Sequence, residues 1–532
     1  MDVPLSPTRT AWYRARPLST LAIAAGTSLA VALALLGAPA QAASGQQIGR
    51  RYHLDCASGD DSASGTTTGT AWRTLNRVNT VTFKPGDSIL LRRGTTCNGV
   101  LQPKGSGTAD DPITLSAYGL GARPAIVGGG ARAAVFLRNV QGWVISHLDV
   151  SNPGPADGTP RIGVYVLLED FGTGRHYVIN DVNVHDVPGC DCLQADLENS
   201  GGIVFKAAGS STPTGFHDIR AFRNTVSGVD NVGIGILSQW SRRTPLYPGG
   251  TNTFVPITKV RVYANRLTDM GGDGILVQNG VDPLTEFNVV NGFGRRASAS
   301  HAGVLAFNSD RAVIQHNEVT GGAAFPPSFA FSVDAGNADI VYQYNYSHDN
   351  SGPFMLFCAF SGTNSDGATI RYNISKNDKD LLLGTFEIPV IANGCDVPVT
   401  NVKIYNNVVY SPTAKALVGT LHPNPMTVSN NAFVGRQQGS TITDPVGVYD
   451  HNLYRNVSTP PPGDAHAVTA DPRFTDPAVS GIRSVFGFRL KCGSPALGAG
   501  VAVPHDGGRD FFGLRIPDTA PNIGAYQGPC VN

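Results

Sequence analysis

The sequence predicts an all-β protein wound as a parallel β-helix, and three observations lead to this prediction. Glycine (63 residues) and proline (36) are abundant in the 532-residue chain, and short clusters of Val, Ile, Thr and Asn recur along it. Long helical windows rich in Ala, Leu, Glu and Lys are absent after residue 45. A short motif headed by asparagine repeats at uneven intervals. These features together indicate many short strands joined by turns.

The first 42 residues have the pattern of an export signal. Arg9, Arg14 and Arg16 precede an apolar run at 21–38, and the sequence AQA follows at 40–42. A positive segment, an apolar segment and an A-x-A site are typical of a secretory signal peptide. We therefore expect cleavage near Ala42 and a secreted, extracellular chain without membrane attachment. An uncleaved anchor is the alternative, which the moderate hydropathy of the run and the cleavage site disfavour.

The eight cysteines that remain after cleavage predict disulfides, because their number is even and the chain is exported. Neighbours along the sequence suggest the pairs Cys56–Cys97, Cys190–Cys192, Cys358–Cys395 and Cys492–Cys530. The ring closed by Cys190–Cys192 would be small and strained. A metal site is the alternative for that pair, but no His or Cys at zinc-like spacing lies nearby.

The repeat has an asparagine at its head and a short apolar segment after it, as in RNTVSG (223–228) and HNEVTG (316–321). The ten heads are Asn183, Asn224, Asn265, Asn288, Asn317, Asn345, Asn373, Asn407, Asn431 and Asn452. Their intervals run from 21 to 41 residues. Uneven intervals exclude a helical solenoid and suit a parallel β-helix, whose coils can lengthen a loop without disturbing their neighbours. Stacked coils lie ~4.8 Å apart, so we predict that the asparagines form one or two structural ladders.

Both ends of the mature chain carry a resemblance to known proteins. YHLDCASGDDSASGTTTGTAWRTL (52–75), KPGDSILLRRGT (84–95) and GTADDPITLSAYG (107–119), together with SPALGAG (494–500) and NIGAYQ (522–527), are the stretches concerned. They resemble the caps of the secreted, pectin-lyase-like β-helix proteins, the superfamily of pectate lyases and polygalacturonases. The resemblance implies a single-stranded right-handed parallel β-helix with N- and C-terminal caps.

This resemblance covers nearly all of the mature chain and implies a division into three parts. We expect an N-terminal cap at 43–130, coils at 131–456 and a C-terminal covering segment at 457–532. The superfamily contains lyases, hydrolases, epimerases, transferases and non-catalytic adhesins. Neither the Asn-Thr-Asp and Gly-His-Gly pair of polygalacturonases nor the Arg-x-Pro-x-x-Arg of pectate lyases stands in this sequence. The resemblance therefore implies a fold and leaves the reaction open.

Alternation along the apolar strands predicts which side chains face the core and which face an outer groove. The predicted inward residues are Ile203, Phe205, Ile275, Val277, Phe329, Phe331 and Val333. The predicted outward residues are Lys206, Leu276, Gln278, Ser332 and Asp334. An outward row along one sheet would form a long shallow groove suited to an extended polymer, with Gln278 as one candidate for substrate contact.

Three aspartates flank this groove and are the candidate catalytic carboxyls of a hydrolase. Asp273 begins the strand in GGDGILVQNG (271–280), Asp230 lies one coil earlier and Asp334 two coils later. Stacking would place Asp230 ~5 Å and Asp334 ~10 Å from Asp273 along the axis. Glycosidases hold two carboxyls ~5–5.5 Å apart for retention or ~6.5–9.5 Å apart for inversion. Either pairing is open; Asp273 is the first candidate, and a turn residue that caps backbone amides is the alternative for each.

A polysaccharide lyase would need different groups, namely a base and a partner for the uronate carboxylate. Lys206, His301 and Arg311 are the candidates, and the aspartates would then be Ca²⁺ ligands. Ca²⁺ is the one cofactor considered, and only this alternative requires it. For His301 a surface position at the start of a strand is the competing interpretation.

One long loop, SQWSRRTPLYPGGTNTFVP (238–256), is a candidate for substrate binding. The rings of Trp240 and Tyr247 could stack on sugars, and Arg242 and Arg243 could meet an acidic sugar. The alternative is that the aromatic side chains fold down onto the β-helix.

The charge balance narrows the class of partner. Lys and Arg total 40, as do Asp and Glu, so no basic field exists to attract nucleic acid. We predict a secreted monomer that cleaves or modifies an extended polysaccharide, as a glycoside hydrolase or a polysaccharide lyase. A non-catalytic polysaccharide-binding or adhesion β-solenoid is the alternative.

Overall fold

The computed structural model describes residues 49–191, 200–397, 399–420, 425–458, 460–461 and 463–532. In these ranges the chain passes repeatedly through three parallel sheets, adding one strand to each sheet in turn. This is the path of a parallel β-helix. The predicted signal peptide at 1–42 lies outside the described residues. No helix in the described ranges is long and apolar enough to span a membrane.

The first sheet has 15 strands, each hydrogen-bonded to the strand one coil away. In spatial order they are Arg51–Leu54, Ser88–Arg92, Ile113–Tyr118, Trp143–Ser146, Thr173–Asn180, Gly215–Phe222, Ile257–Tyr263, Leu284–Glu286, Val313–Gln315, Ala338–Gln343, Ser365–Arg371, Val399–Tyr405, Met426–Ser429 and Val448–Asp450, with Gly280–Val281 beside Ile257–Tyr263.

The second sheet has 13 shorter strands. They are Thr96–Asn98, Ala125–Val127, Asp149–Ser151, Asn183–Val187, Thr225–Val229, Arg266–Met270, Val289–Asn291, Glu318–Thr320, Tyr346–His348, Ile374–Lys376, Val408–Tyr410, Ala432–Val434 and Leu453–Arg455.

The third sheet has 11 strands and carries the predicted groove on its outer face. They are Ala133–Arg138, Ile162–Glu169, Gly201–Ala208, Val232–Ser238, Ile275–Gln278, His301–Phe307, Ser328–Val333, Met355–Phe357, Ile391–Asn393, Ala416–Thr420 and Thr441–Thr443. A small antiparallel hairpin, Leu381–Leu383 with Phe386–Ile388, stands beside it. The described helices are short: an α-helix at Leu75–Asn79 and 3₁₀ turns at Thr68–Thr70 and Gly481–Phe488.

The core lies between the three sheets and is filled by stacked aliphatic and aromatic side chains. The predicted inward residues Ile203, Phe205, Ile275, Val277, Phe331 and Val333 all belong to it. The prediction for Phe329 was wrong, because this ring packs with Leu356 in a separate cluster on the outer face. The strand turns a corner between Phe329 and Phe331, so simple alternation fails at that point.

The asparagine ladder is present for nine of the ten predicted residues. Each Oδ1 accepts from the backbone N–H and the side-chain Nδ2 of the asparagine one coil earlier, from Asn224 at one end to Asn452 at the other. Asn183 is the exception, because Val182 takes the ladder position and donates its N–H to Asn224. Asp464 closes the far end by accepting from Asn452.

Three of the predicted disulfides are confirmed, namely Cys56–Cys97, Cys358–Cys395 and Cys492–Cys530. Cys190 is also disulfide-bonded, and Cys192 lies outside the described residues. No cysteine among those described is free.

The segment after the last coil packs against the outer face of the second sheet. Phe488, Ile523 and Tyr526 contact the sheet residues Ile374 and Val408 in one apolar cluster. The parallel strands themselves run from Arg51 to Arg455. The outer face of the third sheet carries the pockets described below, while the division at residues 130 and 456 stays a prediction.

Candidate active site

A corner made of glycine explains why an aspartate can begin the strand in GGDGILVQNG. A Cβ on Gly274 would lie 2.2 Å from the carbonyl oxygen of Gly303 and 2.7 Å from Cγ1 of Val290. Only glycine fits this close approach between the third and second sheets. The chain therefore turns sharply after Asp273, which stays outside the core on the outer face.

Asp273 is held by the next coil and by a histidine. Its Oδ1 accepts from the backbone N–H of Ala302 at 2.6 Å, and its Oδ2 lies 3.2 Å from Nδ1 of His301. The other ring nitrogen, Nε2, lies 3.0 Å from Oδ1 of Asp191. The imidazole thus stands between two carboxylates, and all three side chains are buried, with 4–7% of each exposed.

The charges of this trio reinforce one another. Burial alone would lower the pKa of His301, but the charge of Asp273 and the hydrogen bond to Asp191 outweigh it and raise that pKa well above its usual value. Burial would raise the pKa of Asp191, yet the hydrogen bond and charge of His301 lower it to about 2. Ser298 adds backbone and hydroxyl hydrogen bonds to the same carboxylate. The imidazole is therefore protonated and fixed in orientation.

Asp334 follows the last strand residue, Val333, two coils beyond Asp273. The hydroxyl of Ser332 donates to its Oδ1. Burial and the negative charge of Asp273 raise the pKa of Asp334, the bond from Ser332 and the charge of His301 oppose the rise, and the resulting pKa is about 7. Asp334 is thus a carboxylic acid that holds its proton up to neutral pH.

One pocket of about 180 Å³ joins these two sites. Asp273, His301, Ser332 and Asp334 all line it. Apolar side chains complete the lining, namely Ala302, Leu305, Phe329, Leu356 and Phe360, together with Ser300 and Cys358. The volume is below the ~300–1,000 Å³ of typical small-molecule sites, so the pocket suits the end of a glycan better than a polymer segment.

The third predicted carboxylate, Asp230, does not line this pocket. The register aligns Ile234 with Ile275, which places Val232, two residues after Asp230, level with Asp273. Asp230 instead pairs with Arg296 and accepts from the N–H of Gly189 at 3.0 Å. Its bond to Gly189 ties it to the segment that leads to Asp191.

Of the three groups predicted for a lyase, Lys206 and Arg311 lie outside this pocket and His301 lines it. Lys206 faces outward as expected but lines a different pocket of the third sheet. Arg311 forms an exposed ion pair with Asp282. His301 is buried between two carboxylates, so it is neither a surface residue nor a free base.

The long loop at 238–256 is packed down onto the β-helix, which corrects the predicted substrate contacts of three residues. Trp240 lies in the core, 4% exposed, and its Nε1–H donates to the carbonyl of Ala208. Gln278 is 1% exposed and accepts from the N–H of Ser238. Arg243 bonds to Asn308 at 2.9 Å and to Asp310 at 2.7 Å.

Arg242 is exposed and does not line the pocket, and its predicted contact with an acidic sugar stays a prediction. Tyr247 links the loop to the pocket lining. Its ring contacts Phe307 and the pocket residue Phe360, with centroids 5.1 and 6.3 Å apart. The loop therefore forms a wall beside the pocket, with Tyr247 at its edge.

Sequence reasoning missed Asp191 and the apolar wall of Phe329, Leu356 and Phe360. Asp191 stands between two cysteines in CDC, and the small ring predicted for a Cys190–Cys192 disulfide could have suggested a side chain held in a fixed position. A possible metal cluster was also missed: ligand atoms of Asp450, His451 and His466 lie within 4.8 Å of one another. These three residues lie at the end of the first sheet, outside the pocket.

The comparisons with known proteins agree with this architecture. Residues 250–436 match the family described as a right handed beta helix region. The fold is a right-handed parallel β-helix. Two structures of GH136 lacto-N-biosidase from Eubacterium ramulus, the selenomethionine derivative and the native protein, are similar with TM-scores of 0.58 and 0.55 at 22% identity. They align over 76% and 79% of this β-helix chain and 67% of theirs.

One curated relative is similar in sequence along almost the whole chain. It is a lacto-N-biosidase from Bifidobacterium longum subsp. longum, 27% identical over 96% of the present chain. The alignment covers 39% of that enzyme. The β-helix chain therefore spans less than half the length of the curated relative it matches.

Proposed function

We propose that this protein is a secreted glycoside hydrolase whose active site is the pocket between Asp273 and Asp334. The observation that supports it most is the pairing of two unlike carboxyl groups in one pocket. Asp334 keeps its proton to about pH 7, whereas Asp273 faces the protonated imidazole of His301. An acid and a carboxylate on opposite sides of a glycosidic bond are the groups that its hydrolysis requires.

In this proposal Asp334 is the general acid. As the glycosidic bond breaks, Asp334 transfers its proton to the departing oxygen, so that the leaving group departs as a neutral alcohol. Its raised pKa suits this role because the proton is still present near neutral pH yet is released readily. The bond from Ser332 orients the carboxyl toward the pocket.

Asp273 is the carboxylate that acts at the anomeric carbon, either as the nucleophile or as the base for a water. His301 is a positioning residue in this scheme. Clamped by Asp191, it holds the Asp273 carboxylate beside the N–H of Ala302 and stabilises its negative charge. The apolar wall of Leu305, Phe329 and Leu356 would contact the less polar face of the sugar.

The pocket lining favours hydrolysis over elimination. None of the described residues that line it is a lysine or arginine. A uronate carboxylate would therefore meet Asp273 and Asp334 with only His301 to offset their charge. Since His301 is already protonated and doubly paired, it has no free nitrogen with which to abstract a proton.

The test is turnover of a panel of aryl glycosides that includes a lacto-N-bioside, with release of the aryl group as the readout. We expect at least one substrate to be cleaved, and Asp273→Asn and Asp334→Asn to lower kcat about 10²–10⁴-fold or more. Asp282→Asn is the matched control, because Asp282 is exposed and lies outside the pocket. Formation of unsaturated uronate from acidic glycans without any hydrolysis would instead identify a lyase. NMR of the first-formed anomer would show whether Asp273 attacks directly or through water.

A further inference from the structure

A second pocket lies on the outer face of the third sheet, near its N-terminal edge. It has a volume of about 240 Å³ and contains Lys206, the outward lysine predicted from strand alternation. Lys206 belongs to the same outward row as Asp334, because the registers connect it through Leu237, Gln278 and Phe307. Four coils separate the two residues, which corresponds to ~19 Å along the axis.

The two pockets are separate. Between them, Leu237 is fully buried and Gln278 is 1% exposed, so the outer face is covered there. The long loop reaches both pockets. Gln239, at its start, lines the second pocket. Tyr247 of the same loop contacts Phe360, which lines the first pocket.

The second pocket has an aromatic side with charged groups around it. The rings of Phe136 and Tyr165 are stacked, with centroids 5.2 Å apart and an interplanar angle of 5°. The guanidinium of Arg132 lies 5.4 Å from the centroid of the Tyr165 ring. Arg138 pairs with Glu169 at 2.7 Å, and about half of each side chain is exposed. Phe136 belongs to the N-terminal edge strand of the sheet, which is joined on its other side only by the single bridge from Leu101 among the described residues, and its ring is half-buried.

The charge of this lining is positive, in contrast to the rest of the chain. Among the described lining residues, the guanidinium groups of Arg132 and Arg138 face one carboxylate, that of Glu169, in a protein whose basic and acidic residues number 40 each. The catalytic pocket has the opposite character, with two aspartates and one histidine in its lining. Planar guanidinium groups bind carboxylates and sulfates through paired hydrogen bonds, and an aromatic ring offers a flat surface to a sugar.

We propose that this pocket binds an acidic saccharide, with Arg132 and Arg138 holding its anionic group and Phe136 contacting the ring. This inference rests on the proposed function where it concerns the substrate class, because an acidic saccharide bound here implies that the hydrolase acts on glycans bearing negative charge. Binding at the pocket needs no turnover and is measured independently of catalysis.

The test is calorimetric titration of the full chain with three oligosaccharides of matched length. Oligogalacturonate carries carboxylates, a chondroitin sulfate oligosaccharide also carries sulfates, and a xylo-oligosaccharide is neutral. We expect an acidic oligosaccharide to bind and the neutral one to bind at least about tenfold more weakly, with affinity falling as salt rises. A preference for the sulfated over the carboxylated probe would identify sulfate as the favoured anion.

Variants locate the binding. Arg138→Gln should weaken binding of the acidic probe about tenfold, because it removes a cation and leaves Glu169 unpaired beside the anion. Arg132→Gln, which leaves that ion pair intact, should weaken it in the same direction. Arg266→Gln is the matched control, since Arg266 is exposed on the second sheet and the substitution changes the net charge equally.

Three results would overturn the inference: no acidic probe binds, the neutral probe binds equally well, or Arg266→Gln weakens binding as much as Arg138→Gln. A fourth would be loss of binding in Asp273→Asn, which would place the probe in the catalytic pocket. If the acidic probe binds as expected but no glycoside is hydrolysed, the proposed function fails and this pocket stands. If a glycoside is hydrolysed but no acidic probe binds, the proposed function stands and this inference fails.

Discussion

Replacing Asp334 with asparagine should remove activity and stabilise the protein at neutral pH. Folding carries this carboxyl from water into a pocket that disfavours its charge, raising its pKa from 3.8 to about 7. At 1.36 kcal/mol per pKa unit, this shift corresponds to ~4 kcal/mol. Asp334 retains some exposure, so we expect an observed effect of about 2–4 kcal/mol.

The sign of the effect follows from the raised pKa. The protonated side chain contributes its full stability below pH 3.8, and that contribution is lost as the pH rises through 7. Asparagine has a similar shape but cannot ionise. The free energy of unfolding of the variant should therefore be close to that of the wild type at pH 4 and exceed it progressively up to pH 8.

Urea unfolding from pH 4 to pH 8, measured beside turnover, is the assay. Asp378→Asn is the matched control, because burial raises the pKa of Asp378 to about 6 but this residue lies outside the pocket. Its carboxylate accepts from Ser375 and Asn350, at 2.7 and 2.8 Å, and an amide cannot accept both hydrogens equally well. Asp378→Asn should keep activity and gain no stability. An Asp334→Asn protein that is active, or whose stability relative to wild type is the same at every pH, would refute the reasoning.

Three further predictions concern the site and the scaffold. Asp273→Asn should lower kcat by at least about 10²-fold while the denaturation midpoint changes little, because the substitution removes charge without removing volume; a variant with full kcat would contradict the site. Ser332→Ala should move the alkaline limb of the kcat/KM profile above its expected position near pH 7, because the lost hydrogen bond had lowered the pKa of Asp334; a limb that moves down would contradict the assignment of the acid. Asn345→Ala should cost about 3–5 kcal/mol in urea unfolding, because four side-chain hydrogen bonds are lost inside the ladder: two from Asn317, one to Ile314 and one to Asn373; a cost below about 1 kcal/mol would mean that water replaces the amide.

The repeated features of the fold could be predicted from the sequence because stacked coils require the same residue type at each equivalent position. Nine ladder positions require an amide that donates and accepts along the axis, and asparagine marks them visibly. Asn183 was misassigned because its neighbour Val182 meets the same backbone geometry without a side-chain amide. Alternation gave the outward direction of Asp334 for the same reason, since a straight strand has a fixed period.

The parts that could not be predicted depend on corners and loops. Phe329 faces outward because the strand bends beside it, and no residue type announces that bend. Asp191 reaches His301 only because the loop after Val187 folds across to a coil formed more than a hundred residues later. Trp240 and Arg243 illustrate the general difficulty. An aromatic ring or a guanidinium group on a loop can make the same contacts with the protein itself as with a ligand, so the residue type alone does not distinguish the two.

The asparagine ladder has a consequence for how such a protein can change over evolutionary time. Its amide bonds keep nearly constant lengths of 2.9 to 3.1 Å although successive asparagines are separated by anything from 21 to 41 residues. Registration of the coils is thus set at one edge and does not depend on how much chain is inserted elsewhere in a turn. The exposed part of a loop, such as 244–251, can therefore lengthen, shorten or be exchanged beside a pocket without repacking the interior. The substrate specificity of related proteins can therefore diverge while the β-helix and its stability are retained. For protein engineering, the same loops are positions where new binding loops can be grafted.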